Sequence, residues 1–221
     1  MDILILIQSL ILGIVEGLTE FLPVSSTGHL ILAGDIINFS PVWGDTFYIA
    51  IQAGAIVAVC WHYRMRLIAI LLNLFKSGKE QRLAINIIVG FLPAAVLGAT
   101  LSSFVKSHFF NVFTVALALV IGGLVLGLSR KAATEFSFFL AIPTIFGATV
   151  WDLWQSRDAL AFDSLPAIAV GFVVSFVSAI VVVRWLLRYV STNDFRVFGW
   201  YRIVFGIVIL VAGYFGVGIA L

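Results

Sequence analysis

The amino-acid sequence predicts an all-α integral membrane protein, with six transmembrane helices preceded by an N-terminal re-entrant helical hairpin. Three observations predict it. The chain is 62% hydrophobic and only 11% charged, whereas an ordinary soluble domain is about 25% charged. Its apolar residues gather in runs of the length a bilayer requires, about 20 residues each. Between the runs, loops rich and poor in Lys and Arg alternate, as they do in multi-pass proteins of the bacterial inner membrane. A single membrane domain over 1–221 follows, with the hairpin at 1–37 and a six-helix bundle at 46–221. The net charge of +2 gives no reason to expect a nucleic-acid partner; membrane lipids are the surroundings. Cys60 is the one cysteine, so no internal disulfide can form. No signal peptide is expected, because Asp2 stands where a basic n-region would be and no small-x-small cleavage site follows the first apolar run.

The hairpin comes first. Ile3 to Val15 is apolar, and Leu30 to Ile37 is too short to span; between them lies a polar stretch with Pro23 in its middle. Two half-helices meeting at a polar break read as a re-entrant hairpin, since non-helical backbone at membrane depth is tolerated only where it is buried in protein or lines a wet cavity. The plainer alternative is one N-terminal span followed by a loop at 19–29.

Spans are predicted at about 46–61, 83–101, 111–128, 133–151, 165–187 and 198–220. The 62–82 loop holds Arg64, Arg66, Lys76, Lys79 and Arg82, whereas the 102–110 loop holds only Lys106. The 129–132 turn holds Arg130 and Lys131, and the 188–197 loop Arg188 and Arg196. The 152–164 loop sets Arg157 against Asp152, Asp158 and Asp163. The positive-inside rule makes the rich loops cytoplasmic. Residues 38–45, both ends of the hairpin and the site it carries then face the outside.

The polar break holds the chemistry. Glu16 and Glu20 are four residues apart and share one helix face. An acidic residue at the bilayer centre costs about 2.5–3.5 kcal/mol, and two ionised neighbours also repel. A shared divalent metal or a shared proton resolves both costs; a pair that only caps a helix near the interface is the bland alternative. Ser25, Ser26 and Thr27 precede Gly28 and an apolar run, an N-cap cluster. Free N–H groups and the helix dipole there favour an anion, phosphate above all. Gly28 permits close backbone approach, and His29 can take or give a proton near neutral pH. Singly, each is weak evidence, because most capping serines are only caps. Together, within fourteen residues, they point to phosphoryl transfer or hydrolysis. His62 and His108 stand at separate span ends with no ligand spacing and read as interfacial.

The stretch EGLTEFLPVSSTGHLIL, residues 16–32, resembles the first signature of the bacterial undecaprenyl-diphosphate phosphatases, the bacitracin-resistance family. FLPAAVLGA at 91–99, LGLSRKAATEFSFFLAIPTIFGAT at 126–149 and YRI at 201–203 are similar to that family as well. The resemblance implies release of one phosphate from a C55 isoprenoid diphosphate. The monophosphate carrier it yields serves peptidoglycan and cell-wall synthesis. It also implies inverted repeats that each begin with a re-entrant hairpin, and an active site open to the periplasmic face. It assigns catalysis and dependence on Mg²⁺ or Ca²⁺ to Glu16 and Glu20. Ser26 and His29 take the places of nucleophile and proton-transfer partner, with the choice between them open, and Ser25, Thr27 and Gly28 complete the phosphate cradle.

One departure is large. The family carries a second signature, P-G-x-S-R-S-x-x-T, in its second re-entrant hairpin, and this chain has no such motif. VIGGLVLGLSRKAATEF, residues 120–136, joins the end of the family's fifth helix directly to the residues that follow that motif; GLSR at 127–130 resembles the downstream turn. A degenerate inverted repeat is implied, with the arginine phosphate clamp missing. Losing a transition-state donor costs about 10²–10³ in rate and an arginine finger about 10³–10⁵. Arg130, Arg202 or a partner chain, as in a homodimer, would have to fill in; Arg202 is expected to snorkel to the cytoplasmic surface and Arg130 sits at a cytoplasmic turn. The competing reading is a non-catalytic protein that binds or transports polyprenyl-phosphate lipid, since inverted repeats around a midplane polar site are transporter-like. A phosphatase of the Ser-Gly-His class is excluded, because Thr27 interrupts that tripeptide and Phe136 stands where its second histidine would be.

Overall fold

The structure, a computed structural model, describes residues 2–76, 78–108, 130–155 and 164–214. All regular elements among them are helices: α1 Ile3–Thr19, α2 Ser26–Ile36, α3 Gly44–His62, α4 Arg64–Leu72, α5 Lys79–His108, α6 Arg130–Gln155, α7 Leu165–Thr192 and α8 Arg196–Tyr214. Among the described residues, three stretches are long and apolar enough to cross a membrane: Gly44–His62, Thr134–Trp151 within α6, and Leu165–Thr192. The helices form two compact units. One holds α1, α2, most of α3, the end of α6, α7 and α8; the other holds the end of α3, α4, α5 and most of α6.

The first unit positions the polar break. Asp2 caps α1 by accepting from the Leu4 N–H at 3.0 Å. At 1.5 Å per residue α1 is about 25 Å long and α2 about 16 Å, so α2 is far short of the roughly 30 Å hydrocarbon core. The far end of this helical pair is closed by the Gln8 amide, which donates to the Ile37 carbonyl at 2.7 Å. Leu12 of α1, Leu30 of α2, and Phe47 and Ile51 of α3 are buried together with Phe39.

Small residues let α1, α3 and α7 approach closely, the usual solution where lipid removes the hydrophobic drive between helices. A Cβ on Gly13 would stand 2.6 Å from the Gly171 carbonyl oxygen, and one on Gly17 would overlap Ser178 Oγ and stand 2.5 Å from the Ser175 carbonyl oxygen. The Ser178 hydroxyl bridges α7 to α1, 3.3 Å from the Gly13 carbonyl. On the α3 side a Cβ on Gly54 would stand 2.5 Å from the Phe172 carbonyl, and one on Gly171 would press on Phe47 and Ile51. Successive contacts climb in the same order on each helix, so α1, α3 and α7 run parallel.

In the second unit Ile70 of α4, Ala84 of α5 and Phe139 of α6 form the core, with Tyr63, Leu67, Leu83, Ile87 and Ile142 around them. α4 is a correction to the sequence reading, which treats 62–82 as loop. Its apolar run is too short to span and its arginines suggest solvent, yet the helix buries Ile70 and leaves Leu71 and Leu72 exposed. A second correction concerns α5. Residues 102–108, read as loop, continue the helix, because SSFVKSH contains neither Gly nor Pro to stop it. The predicted span at 111–128 lies outside the described residues, as do most of the 152–164 loop and the end of the 198–220 span.

Candidate active site

The polar break is tighter than the sequence suggests: α1 ends at Thr19 and α2 begins at Ser26. Glu20 closes α1, its N–H donating to the Glu16 carbonyl at 2.9 Å. Pro23 cannot extend the helix, and Val24 N–H turns back onto the Leu22 carbonyl at 2.7 Å. Ser25 is the N-cap of α2 with φ 68° and ψ 88°, a left-handed backbone that costs a non-glycine residue about 1–3 kcal/mol. Its Oγ accepts a long hydrogen bond from the Gly28 N–H, 3.4 Å.

Four predicted residues meet here as two pairs. The Ser26 hydroxyl donates to Glu20 Oε2 at 2.6 Å, a length typical of charge-assisted bonds. His29 Nδ1 lies 2.7 Å from the Ser25 carbonyl oxygen. Glu16, one turn before Glu20, is 1% exposed, and neither of its carboxylate oxygens receives a hydrogen bond from a described residue. Thr27 is exposed and stands apart from these pairs. A Cβ on Gly28 would stand 3.4 Å from Ser25 Oγ and 3.6 Å from Phe205. Those are ordinary contacts, so space within the protein alone does not demand glycine there.

A buried carboxylate without a partner is costly unless it holds a proton or a cation. Glu16 and Glu20 offer hard oxygen donors, the kind Mg²⁺ and Ca²⁺ take. Among the described residues no group of three His, Cys, Asp or Glu side chains is arranged as a metal site. Mg²⁺ needs no such group, since it commonly takes one or two carboxylates and fills its remaining positions with water and substrate phosphate. The orphaned carboxylate and its neighbour therefore fit that ion.

Three residues join the site that the sequence reading did not place there. The Gln52 amide of α3 donates to the other oxygen of Glu20, Oε1, at 3.3 Å. Tyr201 Oη of α8 lies 2.7 Å from His29 Nε2, and Phe205 stacks on the imidazole with centroids 4.0 Å apart and planes 7° from parallel. A lone amide in the middle of an apolar span was a readable signal for Gln52. The YRI triplet marked the position of Tyr201 without pairing it to anything. Of the two arginines considered as a replacement clamp, Arg202 is half-buried in α8, while Arg130 opens α6 and its side chain lies outside the described residues. His62 ends α3 and His108 ends α5.

Comparison with known proteins bears directly on this site. The family described as "Bacitracin resistance protein BacA" matches residues 9–128 and 120–208. An undecaprenyl-diphosphatase of Dechloromonas aromatica is 46% identical over 267 positions, covering 98% of this chain and 97% of that protein. One of Nitrosospira multiformis is 43% identical, covering 98% of each, and one of Cupriavidus metallidurans 42%, again covering 98% of each. The first of these alignments is longer than this chain, 267 positions against 221, so the relative has at least 46 positions with no counterpart here. The family match divides into two stretches that overlap at 120–128, and residues 16–32 fall wholly within the first. With both stretches together covering most of the sequence, the chain belongs to the bacitracin resistance protein BacA family.

Proposed function

We propose that the chain is a membrane hydrolase that converts undecaprenyl diphosphate to undecaprenyl phosphate and inorganic phosphate, recycling the lipid carrier of cell-wall synthesis. The observation that carries the reading is the 2.6 Å bond from Ser26 Oγ to Glu20 Oε2 at the start of α2. The relatives' shared name supports it and favours it over lipid binding or transport without hydrolysis.

In this reading Ser26 is the nucleophile. Glu20 takes its hydroxyl proton, and the alkoxide attacks the terminal phosphorus. A bond forms between Oγ and phosphorus as the bond from phosphorus to the bridging oxygen breaks, and undecaprenyl phosphate leaves. Glu20, having released that first proton, then takes one from the water that attacks the phosphoserine and returns it to Ser26 Oγ as inorganic phosphate departs. Gln52 holds Glu20 through its second oxygen. The first N–H groups of α2, without intrahelical acceptors, and the helix dipole meet the charge on the transferring group. Ser25 and Gly28 shape the backbone around it, and Thr27 offers a further hydroxyl at its rim. His29 takes up the released proton at Nε2 and passes it to the leaving oxygen. A Mg²⁺ or Ca²⁺ held by Glu16 and Glu20 would neutralise phosphate charge.

The finer architecture is part of the proposal: six spans with a re-entrant α1–α2 hairpin, in the bacterial inner membrane, with the site open to the periplasm. The parallel run of α1, α3 and α7 supports it. If 38–45 is outside, α1 and α3 both enter from outside, and α7 must do so too, which agrees with the acidic 152–164 segment preceding it. Gln52 is about 12 Å along α3 from Gly44, near mid-depth. The relative's positions without a counterpart here, together with a family match divided at 120–128, support loss of the second hairpin and its arginine clamp.

Phosphate release from farnesyl and undecaprenyl diphosphate by the purified protein, with Mg²⁺, with Ca²⁺ and with chelator, tests the reading. Metal-dependent release abolished by Ser26→Ala is expected. Binding of the lipid with no single-turnover release under any condition would refute it.

A further inference from the structure

We propose that Tyr201 is a positioning residue for His29, holding the imidazole in the form whose Nε2 is an unprotonated acceptor. The activity arm of its test rests on the phosphatase reading; the spectroscopic arm does not.

The Ser25 carbonyl oxygen can only accept, so with His29 Nδ1 at 2.7 Å the proton belongs on Nδ1. In the neutral ring Nε2 is then the acceptor, and the Tyr201 hydroxyl donates to it across 2.7 Å. The ring is fixed at both nitrogens. Phe205 lies flat against it at 4.0 Å, and the Tyr201 ring is also near-parallel to it, 11° between planes at 5.7 Å. Tyr201 and Phe205 are four residues apart and rise from one face of α8, so a single helix face sets both the orientation and the tautomer of a histidine 172 residues earlier.

Two features argue that this is more than packing. Tyr201 is 44% exposed, so its ring is not held in place by a core that needs it. A phenol also both donates and accepts. When Nε2 gains a proton, Tyr201 turns from donor to acceptor and leaves no stranded N–H. The same hydroxyl thus follows the imidazole through both charge states, and it occupies Nε2 until a phosphate oxygen replaces it. This also separates the two candidate nucleophiles: Ser26 Oγ is bonded to a base, while both nitrogens of His29 are engaged by the protein.

The test uses the full chain in detergent with ¹⁵N-labelled histidine. The His29 resonances are assigned by their disappearance in His29→Gln. The wild type should show His29 protonated at Nδ1 with a hydrogen-bonded Nε2 lone pair. Tyr201→Phe keeps the ring and removes the hydroxyl, so the Nε2 resonance should move and the second tautomer should appear. Single-turnover hydrolysis should fall about 10- to 100-fold with substrate binding little changed, and Tyr201→Phe should cost nothing further in His29→Gln protein. Unchanged ¹⁵N shifts in Tyr201→Phe would overturn the proposal, as would an equal loss of activity with and without His29. If Tyr201→Phe does not fold, the wild type alone decides: a His29 carrying its neutral-state proton on Nε2 overturns it. A wild type that hydrolyses nothing refutes the phosphatase reading and leaves the tautomer test standing.

Discussion

Replacing Gly17 by alanine adds one methyl group at the tightest point between α1 and α7. The new Cβ would overlap Ser178 Oγ, stand 2.5 Å from the Ser175 carbonyl oxygen and 2.8 Å from the Ala179 nitrogen. Ser178 can rotate; the other two atoms are backbone and cannot. Reaching 3.4 Å, the edge of ordinary contact, requires α1 to retreat from α7 by about 0.9 Å. Overpacking of this kind costs about 1–3 kcal/mol, and alanine's better helix propensity returns about 1 kcal/mol of it. A net loss of about 0–2 kcal/mol is expected, read as a lower thermal midpoint in detergent. The larger effect should be on turnover. Glu16 and Glu20 flank Gly17 on the helix that must move, while Gln52 stays on α3, and a misplacement near 1 Å costs about 10²-fold in rate. Gly199→Ala and Gly206→Ala are the controls, since a Cβ at either meets nothing within 4 Å, and neither should lower midpoint or rate. Gly17→Ala with wild-type midpoint and wild-type turnover would refute the close-packed α1–α7 contact as the support of the site.

On the proposal that the two carboxylates serve one cation, Glu16→Gln and Glu20→Gln should each abolish metal-dependent release, and the double variant should be little worse than either; modest additive losses would reduce the pair to a polar patch. In a Cys60→Ser background, cysteine at position 45 should react with an impermeant reagent from outside intact cells and cysteine at position 79 should not, and the reverse pattern would invert the topology. Inserting a relative's segment between the two stretches of the family match should raise single-turnover rate by about 10²–10⁵ with a much smaller gain in lipid affinity, since a clamp meets charge that develops in the transition state. Equal rates with and without the insert would mean that a residue of this chain already does that work, and Arg202 would be the next to replace.

The fold was legible where one physical rule acted alone. Spans at 46–61 and 165–187 needed only length and hydropathy, and α3 and α7 stand there. It was less legible where two rules pulled apart. In α4, arginines that argue for water sit on the same short run as Ile70, which is buried against Ala84 and Phe139, and no local pattern announces a partner that distant. Residues 102–108 carry nothing that favours a loop except position beyond an apolar run, and helix continued through them. The glycines on α1 were visible as letters, but their meaning lies in what faces them. Gly17 has no room for a side chain because Ser175 and Ser178 of α7 stand against it.

The site divides along the same line. Everything that acts through neighbours in sequence was readable: carboxylates four apart on one face, a cap before an apolar run, a proline that breaks the helix. From these the pairing of Ser26 with Glu20 follows almost of necessity, since a six-residue turn around Pro23 brings the start of α2 back to the end of α1. What acts through tertiary contact was not readable. Gln52 on α3 and Tyr201 with Phe205 on α8 each take up a polar atom that the hairpin cannot satisfy by itself. Glu16 is the exception that tests the rule. No described residue answers either of its oxygens, although the chain supplied partners to both oxygens of Glu20 and both nitrogens of His29. In a site otherwise so fully bonded, this carboxylate, buried to 1% exposure beside Glu20, is the oxygen donor on which the proposal of a bound cation rests.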